Sequence, residues 1–246
     1  DIEVTAREAL GLTELRPGQR DAIASVVAGR DTLVVMPTGA GKSAIYQTAG
    51  VLLRGLTVVV SPLIALQQDQ VAALAEGNAG RAALLNSTLT RAGHADILRD
   101  LTHGHIQFLF LAPEQLANDD TLAHLQAANP ALIVIDEAHC ISAWGHDFRP
   151  EYLRLGGMIA QLGHPPVLAL TATASPPVRK EIVERLGMRE ASIMVQGFDR
   201  PNIHLAVEGF SDADEKQAAL IERVIAAPKP GIVYAATRKH AEELAA

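Results

Sequence analysis

The segment that sets the architecture reads Asp31-Thr32-Leu33-Val34-Val35-Met36-Pro37-Thr38-Gly39-Ala40-Gly41-Lys42-Ser43. Its apolar part predicts a short buried strand, the glycine-rich part predicts a tight turn, and the residues from Lys42 to Leu53 predict a helix. A strand, a glycine-rich turn and a helix N-terminus in this order can hold phosphate groups, because the backbone N–H groups and the helix dipole there favour anions.

The turn supplies candidate ligands for a nucleoside triphosphate. Lys42 is expected to reach the β- and γ-phosphates, and the Ser43 hydroxyl is expected to bind Mg²⁺. The general pattern has glycine where Met36 stands, so the match is imperfect at its first residue. The alternative is a plain glycine turn with an exposed lysine, and the strand–loop–helix context argues against it. The predicted nucleotide-binding residues of the turn are Thr38, Gly39, Ala40, Gly41, Lys42 and Ser43.

Further apolar runs alternate with helical patterns along the chain. Near-continuous Val, Ile and Leu strands separated by helices indicate a parallel sheet covered by helices on both faces, so we predict an α/β fold. The predicted strands are 31–36, 57–60, 82–85, 106–111, 132–135 and 167–170, and the predicted helices are 42–53, 63–75, 91–101 and 177–186.

The pattern changes after residue 186. A turn-rich connector at 196–202 precedes a predicted strand at 203–207, a helix at 216–227 and a strand at 231–235. One strand–helix–strand unit cannot bury its own faces. We therefore predict a first domain at 1–198 and a truncated second domain at 199–246.

Composition sets the class of protein. The 246 residues are 48% hydrophobic and 20% charged, which is ordinary for a globular domain. No apolar run reaches about eighteen residues and no secretory signal is visible, so we expect a cytoplasmic protein without a membrane span. The lone Cys140 excludes an intrachain disulfide. The net charge of −7 argues mildly against nucleic-acid binding but does not exclude a local groove.

Two adjacent carboxylates, Asp136 and Glu137, follow the apolar run 131–135. Ligand sites of parallel sheets gather at the carboxyl ends of strands. Asp136 is expected to bind Mg²⁺, and Glu137 is expected to orient or deprotonate the attacking water. An acidic helix N-cap pair is the alternative. The phosphate-binding turn on another strand favours the catalytic interpretation.

Several motifs follow one another in a fixed order over nearly the whole chain. They read Arg16-Pro17-Gly18-Gln19, Val59-Val60-Ser61-Pro62-Leu63-Ile64-Ala65-Leu66, Leu85-Asn86-Ser87-Thr88, Ala112-Pro113-Glu114, Asp136-Glu137-Ala138-His139, Leu170-Thr171-Ala172-Thr173-Ala174 and Phe198-Asp199-Arg200-Pro201-Asn202. Together they resemble the RecQ family of superfamily 2 DNA helicases, and residues 138–149 resemble that family's aromatic-rich loop.

The resemblance implies a RecA-like first domain of the P-loop NTPase type and the start of a second one. It also implies ATP and Mg²⁺ as cofactors, and 3′→5′ translocation and unwinding on single-stranded and partly duplex DNA in repair and recombination. A bacterial protein of this kind would be associated with the nucleoid. Lys42, Asp136 and Glu137 would be the catalytic residues.

The resemblance also assigns residue roles. Arg16 and Gln19 would bind adenine. Aromatic faces such as those of Trp144 and Phe148 would stack on bases, worth about 1–3 kcal/mol per base. Contact with DNA, or coupling of DNA to ATP, is implied for Ser61, Ser87, His139, Trp144, His146, Phe148, Arg149, Thr171, Thr173, Arg200, Asn202 and Arg238.

Each assignment has a structural alternative. Without the resemblance, Gln19 would be a solvated helix residue and Trp144 a packed anchor. The serines would be turn or cap hydroxyls, the threonines β-branched strand ends, and the residues of the second domain a hinge turn and a helix cap. Cys140 is interpreted as a small buried residue.

Three residues depart from the family pattern. Leu15 stands where an aromatic residue is usual, Ala143 replaces a glutamine before Trp144, and Gln115 replaces an arginine after Glu114. Looser packing at the adenine site and the loss of one polar loop contact would follow. None of these changes removes the phosphate or metal chemistry.

Two other functions stay open at this stage. One is an RNA helicase or ATP-dependent remodeller of superfamily 2. The other is a nucleic-acid-binding module that uses ATP only as a conformational ligand, against which the intact Lys42, Asp136 and Glu137 argue. An arginine of the second domain would complete the ATP site and can be worth about 10³–10⁵ in rate. Residues 1–246 alone are therefore expected to bind nucleotide and to hydrolyse it poorly.

Overall fold

The computed structural model describes residues 1–77, 79–143, 147–197, 204 and 206–245. Contacts divide the chain into two units, Asp1–Phe198 and Asp199–Ala246. The strands of the first unit are β1 (Thr32–Val35), β2 (Thr57–Val60), β3 (Ala82–Leu85), β4 (Phe108–Leu111), β5 (Leu132–Ile135), β6 (Val167–Thr171) and β7 (Ser192–Val195). Its helices are α1 (Ile2–Leu10), α2 (Gln19–Val27), α3 (Lys42–Leu53), α4 (Ile64–Glu76), α5 (Arg91–Thr102), α6 (Asp119–Ala128), α7 (Leu155–Gln161) and α8 (Pro176–Leu186).

All strand pairs described in the first unit are parallel, in the order β3-β4-β2-β5-β6-β1-β7. The predicted α/β fold with a parallel sheet is confirmed. β1, which leads into the phosphate-binding turn, is separated from β5, which leads into Asp136, by β6 alone. The register pairs Val35 with Thr171. The ends of these three strands therefore meet at one edge of the sheet.

Helices cover both faces of the sheet. Successive residues of β2 point in opposite directions, so Val58 and Val60 pack on one face and Val59 on the other. Residues of α5, α6, α7 and α8 complete the first core, and residues of α2, α3 and α4 complete the second. Each fully buried Val, Leu or Ile side chain contributes about 1.5–3 kcal/mol. The site at the strand ends therefore rests on a rigid double core.

Close packing of α3 against the sheet fixes the distance between the sheet and the phosphate-binding turn. Gly50 faces β2 and β4, and a Cβ atom placed on it would lie 2.6 Å from Thr57 Oγ1 and 2.7 Å from the Phe108 ring. Only glycine allows this approach. Because α3 begins at Lys42, its contact with the sheet also positions the first turn of the helix.

Most predicted elements are present with small shifts of their ends. The bounds of α3 agree with the prediction, whereas α1, α2, α6, α7 and β7 had not been predicted. The first four are short helices, and β7 is an edge strand with half of its residues exposed. No helix of the described residues is long and apolar enough to cross a membrane.

The second unit contains α9 (Ala213–Ala226) and α10 (Arg238–Ala245). The strand predicted at 231–235 is wrong, and the described residues of 203–207 are not in a strand either. Ile232 and Tyr234 are 78% and 90% exposed. A buried strand needs neighbouring backbones and a covering layer, and α9 itself has no buried residue. The apolar pattern alone was therefore insufficient to form strands here.

Candidate nucleotide site and nucleic-acid loop

The phosphate-binding turn lies between Val35 and Lys42 and is built on two glycines in the left-handed conformation. Gly39 has φ 81° and Gly41 has φ 79°. Gly41 is the N-cap of α3, and no side chain caps this end of the helix. The N–H groups of the first helical turn are therefore available to an anion. A Cβ atom on Gly41 would lie 2.6 Å from Gln19 Nε2, so space also requires glycine at this position.

Arg16 and Gln19 hold the carbonyl groups of this turn. Gln19 Nε2 donates to Ala40 O at 3.0 Å and to Gly41 O at 2.8 Å, and Gln19 Oε1 accepts from Arg16 N at 2.7 Å. Arg16 Nη1 donates to Gly39 O. In a trans peptide the C=O and the following N–H point in opposite directions. Holding the carbonyls on one side therefore turns the N–H groups of Gly41 and Lys42 to the other side.

The adenine role of these two residues stays a prediction. Gln19 is 2% exposed and its amide is engaged by the turn and by Arg16 in this structure. Lys42 Nζ donates to Met36 O at 3.3 Å. Met36 N in turn donates to Thr171 O at 3.0 Å, which joins the turn to the end of β6. Ser43 is the second residue of α3, and Thr38 is exposed at the tip of the turn.

Asp136 and Glu137 leave the sheet through a sharp backbone turn. Asp136 N donates to Val60 O at 2.8 Å, just beyond the last residue of β5. Glu137 then has φ 47°, a left-handed conformation that costs a non-glycine residue about 1–3 kcal/mol. Glu137 N donates to Asp136 Oδ1 at 3.0 Å. The two adjacent carboxylates have different side-chain partners, Ser61 for Asp136 and His139 for Glu137.

The surroundings of Asp136 fit a cation. Burial, and next the nearby charge of Glu137, raise the pKa of Asp136 to about 6. The charge of Lys42 and a 3.4 Å hydrogen bond from Ser61 Oγ to Asp136 Oδ2 oppose this rise only in part. Among the described residues, no group of three or more His, Cys, Asp or Glu could hold a metal ion. Mg²⁺ bound with nucleotide needs only one or two protein carboxylates, so Asp136 suits it.

The raised pKa predicts how the free chain responds to pH. The folded state keeps Asp136 protonated up to about pH 6, whereas the unfolded chain releases this proton near its ordinary pKa. The stabilisation is therefore complete at low pH and is lost as the pH rises through about 6. At pH 7.5 and without metal, Asp136→Asn should raise the free energy of unfolding by roughly 2–3 kcal/mol. Urea unfolding at pH 7.5 measures this directly.

The control for this prediction is Asp69→Asn, which changes an exposed aspartate of α4. It should leave the free energy of unfolding within about 0.5 kcal/mol of wild type. If Asp136→Asn destabilises the chain at pH 7.5, the unfavourable burial of this carboxylate is contradicted.

His139 connects Glu137 to the end of β6. Its Nδ1 lies 3.3 Å from Glu137 Oε2 and 2.9 Å from Thr171 Oγ1. Thr171 Oγ1 also donates to Thr173 O at 3.1 Å and accepts from Thr173 N at 3.2 Å. The Glu137 carboxylate, 25% exposed, is thus oriented by a chain of side chains that runs into the turn after β6. Glu137 and Thr171 are therefore linked through His139, and the role of Glu137 as a base stays a prediction.

The loop after His139 is anchored at both sides. Ser142 Oγ donates to Glu181 Oε2 of α8 at 2.6 Å, and Arg149 N donates to Cys140 O at 2.9 Å. Phe148 is 40% exposed beside this anchor. Trp144 and His146, also predicted to contact DNA, lie outside the described residues. The loop is therefore held at its base with an aromatic face open to solvent.

Cys140 belongs to the packed core. It is buried and unpaired, and burial raises the pKa of its thiol to about 11. A thiol that stays protonated at neutral pH is a poor nucleophile. The structure agrees with the interpretation of Cys140 as a small buried residue.

The other residues predicted to contact DNA belong to different elements of the chain. Ser61 is buried, and its hydroxyl is used by Asp136. Ser87 is exposed in the turn after β3. Arg238 begins α10 in the second unit, whereas Arg200 and Asn202 lie outside the described residues. Contact of each of these residues with DNA stays a prediction.

Three buried side chains near the site had not been predicted. Gln67 Nε2 donates to Ser61 O at 2.6 Å, Asn86 Oδ1 accepts from Thr88 N at 3.0 Å, and Tyr152 OH donates to Asp136 O at 3.0 Å. Each holds backbone at or near a strand end that carries a motif. The only sequence signal was their closeness to motifs, because a glutamine, an asparagine or a tyrosine in a helix or turn is otherwise unremarkable.

The fold, the phosphate-binding turn and the paired carboxylates define a class, and comparison with known proteins agrees. The family model described as DEAD/DEAH box helicase matches residues 16–182, more than half of the chain. This chain belongs to the DEAD/DEAH box helicase family.

Two curated relatives show which helicases of this family the chain resembles. The chain is 44% identical to a probable ATP-dependent DNA helicase RecS of Bacillus subtilis, over 99% of this chain and 49% of that protein. It is 38% identical to the ATP-dependent DNA helicase RecQ of Pasteurella multocida, over 96% of this chain and 37% of that protein. The resemblance to RecQ helicases that the motifs indicated is confirmed. The chain spans about half or less of the length of these relatives.

Solved structures agree on the fold. The DUF1998 helicase MrfA is similar with a TM-score of 0.68 at 18% identity, over 99% of this chain and 39% of that one. A hypothetical ATP-dependent RNA helicase from Sulfolobus tokodaii is similar with a TM-score of 0.62 at 18% identity, over 79% of this chain and 56% of that one. At these identities the similarity concerns the fold alone.

Proposed function

We propose that this chain is the nucleotide-binding domain, with the start of a second domain, of a RecQ-like ATP-dependent DNA helicase. The observation that carries the proposal is a connected site at the ends of β1, β5 and β6. There Met36 bonds Thr171, Thr171 bonds His139, and His139 contacts Glu137. A site of this kind can sense nucleotide and nucleic acid together, because the aromatic loop begins immediately after His139.

The phosphates of ATP would be held by the turn. The N–H groups of Gly41 and Lys42 face the anion, and the Lys42 ammonium neutralises charge on the β- and γ-phosphates. Ser43 and Asp136 would hold Mg²⁺, which supplies positive charge at the phosphate oxygens when bound. Arg16 and Gln19 would bind adenine beside the turn whose carbonyls they hold.

Hydrolysis would depend on Glu137. Its carboxylate orients a water and takes a proton from it as the water oxygen bonds to the γ-phosphorus. The bond from the γ-phosphorus to the bridging oxygen breaks, and ADP leaves with that oxygen. His139 keeps the carboxylate in place. Movement of Thr171 would therefore change the position of the base.

DNA would meet the chain at the loop that Ser142 and Arg149 anchor. The exposed ring of Phe148, together with Trp144, would stack on bases of a single strand. The resemblance to RecQ helicases adds 3′→5′ movement along single-stranded DNA and unwinding of partly duplex DNA in repair or recombination. It also adds a location at the nucleoid within the cytoplasm. The relatives named above are described as ATP-dependent DNA helicases and support action on DNA, whereas the finer assignments rest on the resemblance of the motifs.

The test uses the full-length parent protein and measures ATP hydrolysis in three conditions. Single-stranded DNA should stimulate turnover strongly, RNA of the same length weakly, and chelation of Mg²⁺ should abolish turnover. Equal or stronger stimulation by RNA would favour an RNA helicase. Nucleotide binding without hydrolysis in any condition would favour a module that uses ATP as a conformational ligand.

A further inference from the structure

Tyr152 is a buried side chain that touches the metal-binding motif from outside it. It lies in the short 3₁₀ helix Pro150–Arg154 and is fully buried. Its hydroxyl donates to Asp136 O at 3.0 Å, across sixteen residues of sequence. Its own N–H donates to Arg149 O at 3.0 Å. Tyr152 thus joins the downstream end of the aromatic loop to the backbone of Asp136.

The bond from Tyr152 acts on one particular peptide group. Asp136 N makes the last bond to β2, so the carbonyl of Asp136 begins the turn that leaves the sheet. The same peptide group carries Glu137 N, which donates to Asp136 Oδ1 at 3.0 Å. A peptide is planar, so fixing its oxygen through Tyr152 also fixes its N–H. The Asp136 carboxylate is therefore bonded to a peptide group that Tyr152 holds, and the Glu137 residue begins at the same group.

Strain at Glu137 makes such a fixed plane necessary. The left-handed backbone of Glu137 persists only if its surroundings hold it. Tyr152 is suited to this because its side chain is fully buried and its hydroxyl donates directly to Asp136 O. The ring itself belongs to the hydrophobic core cluster that also contains Cys140 and Leu155. The hydrogen bond of the hydroxyl can therefore be removed while the packing of the ring is kept.

We propose that Tyr152 is a positioning residue for ATP hydrolysis, which holds the Asp136–Glu137 peptide and ties it to the segment that begins at Arg149. The inference rests on the proposed function, because it assumes that Asp136 binds Mg²⁺ and that Glu137 is the base. It goes further by naming a residue outside the helicase motifs and a route from the aromatic loop to the carboxylates.

The test compares Tyr152→Phe with wild type in two measurements. In the chain of residues 1–246, calorimetry gives the affinity for adenylyl-imidodiphosphate with Mg²⁺ and with EDTA. Tyr152→Phe should leave the affinity in EDTA unchanged and reduce the gain from Mg²⁺ by about three- to ten-fold, the effect of one hydrogen bond. In the full-length parent, kcat should fall by roughly ten-fold, and KM for ATP with Mg²⁺ should rise by about three- to ten-fold in step with the lost affinity.

Tyr46→Phe is the matched control. Tyr46 is also buried, and its hydroxyl donates to Gln70 Oε1 at 3.0 Å in the contact of α3 with α4. Its loss should lower Tm by a similar amount and leave the gain from Mg²⁺ at the wild-type value. If Tyr152→Phe changes only Tm, or weakens affinity equally with Mg²⁺ and EDTA, Tyr152 is merely structural and the proposal is overturned.

A third variant separates this inference from the proposed function. Asp136→Asn should abolish the gain in affinity from Mg²⁺. If it does so while Tyr152→Phe retains the full gain, the inference about Tyr152 fails and the proposed function stands. If wild type shows no gain from Mg²⁺, the proposed function fails, and the inference fails with it.

Discussion

Glu137→Gln in the full-length parent should reduce ATP hydrolysis by about 10²–10⁴-fold, the usual contribution of a general base. The amide cannot accept the proton of the attacking water. Glutamine has about the same size as glutamate. The hydrogen bond from Glu137 N to Asp136 Oδ1 uses the backbone N–H of residue 137 and not its side chain, so the variant retains it. Affinity for ATP with Mg²⁺ should therefore be preserved or slightly increased. Steady-state turnover and equilibrium binding of ATP test the two halves of this expectation.

The control for this result is Glu184→Gln on α8. It removes a charge of the same sign from an exposed position and should change turnover by less than two-fold, about the effect of a surface substitution. A Glu137→Gln variant with wild-type turnover would exclude Glu137 as the base and would assign proton acceptance to another group.

Lys42→Met should weaken binding of ADP and ATP by about 10- to 150-fold, because a hydrogen bond to a charged group contributes roughly 1.5–3 kcal/mol. Methionine retains most of the length of the lysine and removes its charge. Within the part of the chain that the structure describes, the Lys42 ammonium forms one weak hydrogen bond, to Met36 O at 3.3 Å, so its loss costs the fold little. Calorimetry with ADP and unfolding in urea would show weak binding in a stable protein.

Lys180→Met provides the comparison, since Lys180 is exposed on α8 and forms a long ion pair with Glu184. Its affinity for ADP should match that of wild type. Wild-type affinity in Lys42→Met would contradict the identification of the turn as the phosphate site. A similar loss of affinity in both variants would show that overall charge, rather than position, controls binding.

The sequence alone was sufficient to predict those elements whose structure is decided by residues close together in the chain. The start of α3 follows from Gly39 and Gly41, whose left-handed backbone other residues rarely adopt, and the central strands follow from apolar runs buried on both faces. The edge strand β7 was missed because half of its residues are exposed. The strand at 231–235 was wrong because a strand depends on neighbours that a local pattern does not contain.

The candidate site likewise contains features that the sequence predicted and features that it did not predict. The sequence pattern alone placed Lys42, Asp136 and Glu137 after two strands of one parallel sheet, and in the structure β6 lies between these strands. The bonds that orient them connect distant parts of the chain, such as Gln19 to the phosphate-binding turn and Tyr152 to Asp136. Such hydrogen bonds depend on how far each helix or strand is shifted and rotated relative to its neighbours. They leave no periodic or compositional signal in the sequence.

The central claim is that one segment, from Asp136 to Arg149, joins ATP hydrolysis to contact with DNA. Its most direct test is the ATPase rate of the full-length parent, with and without single-stranded DNA, for wild type, Trp144→Ala and Phe148→Ala. Both variants should keep the basal rate, because neither residue is assigned a role in binding phosphate or Mg²⁺, and both should lose the stimulation by DNA. A normal response to DNA in both variants would contradict the claim.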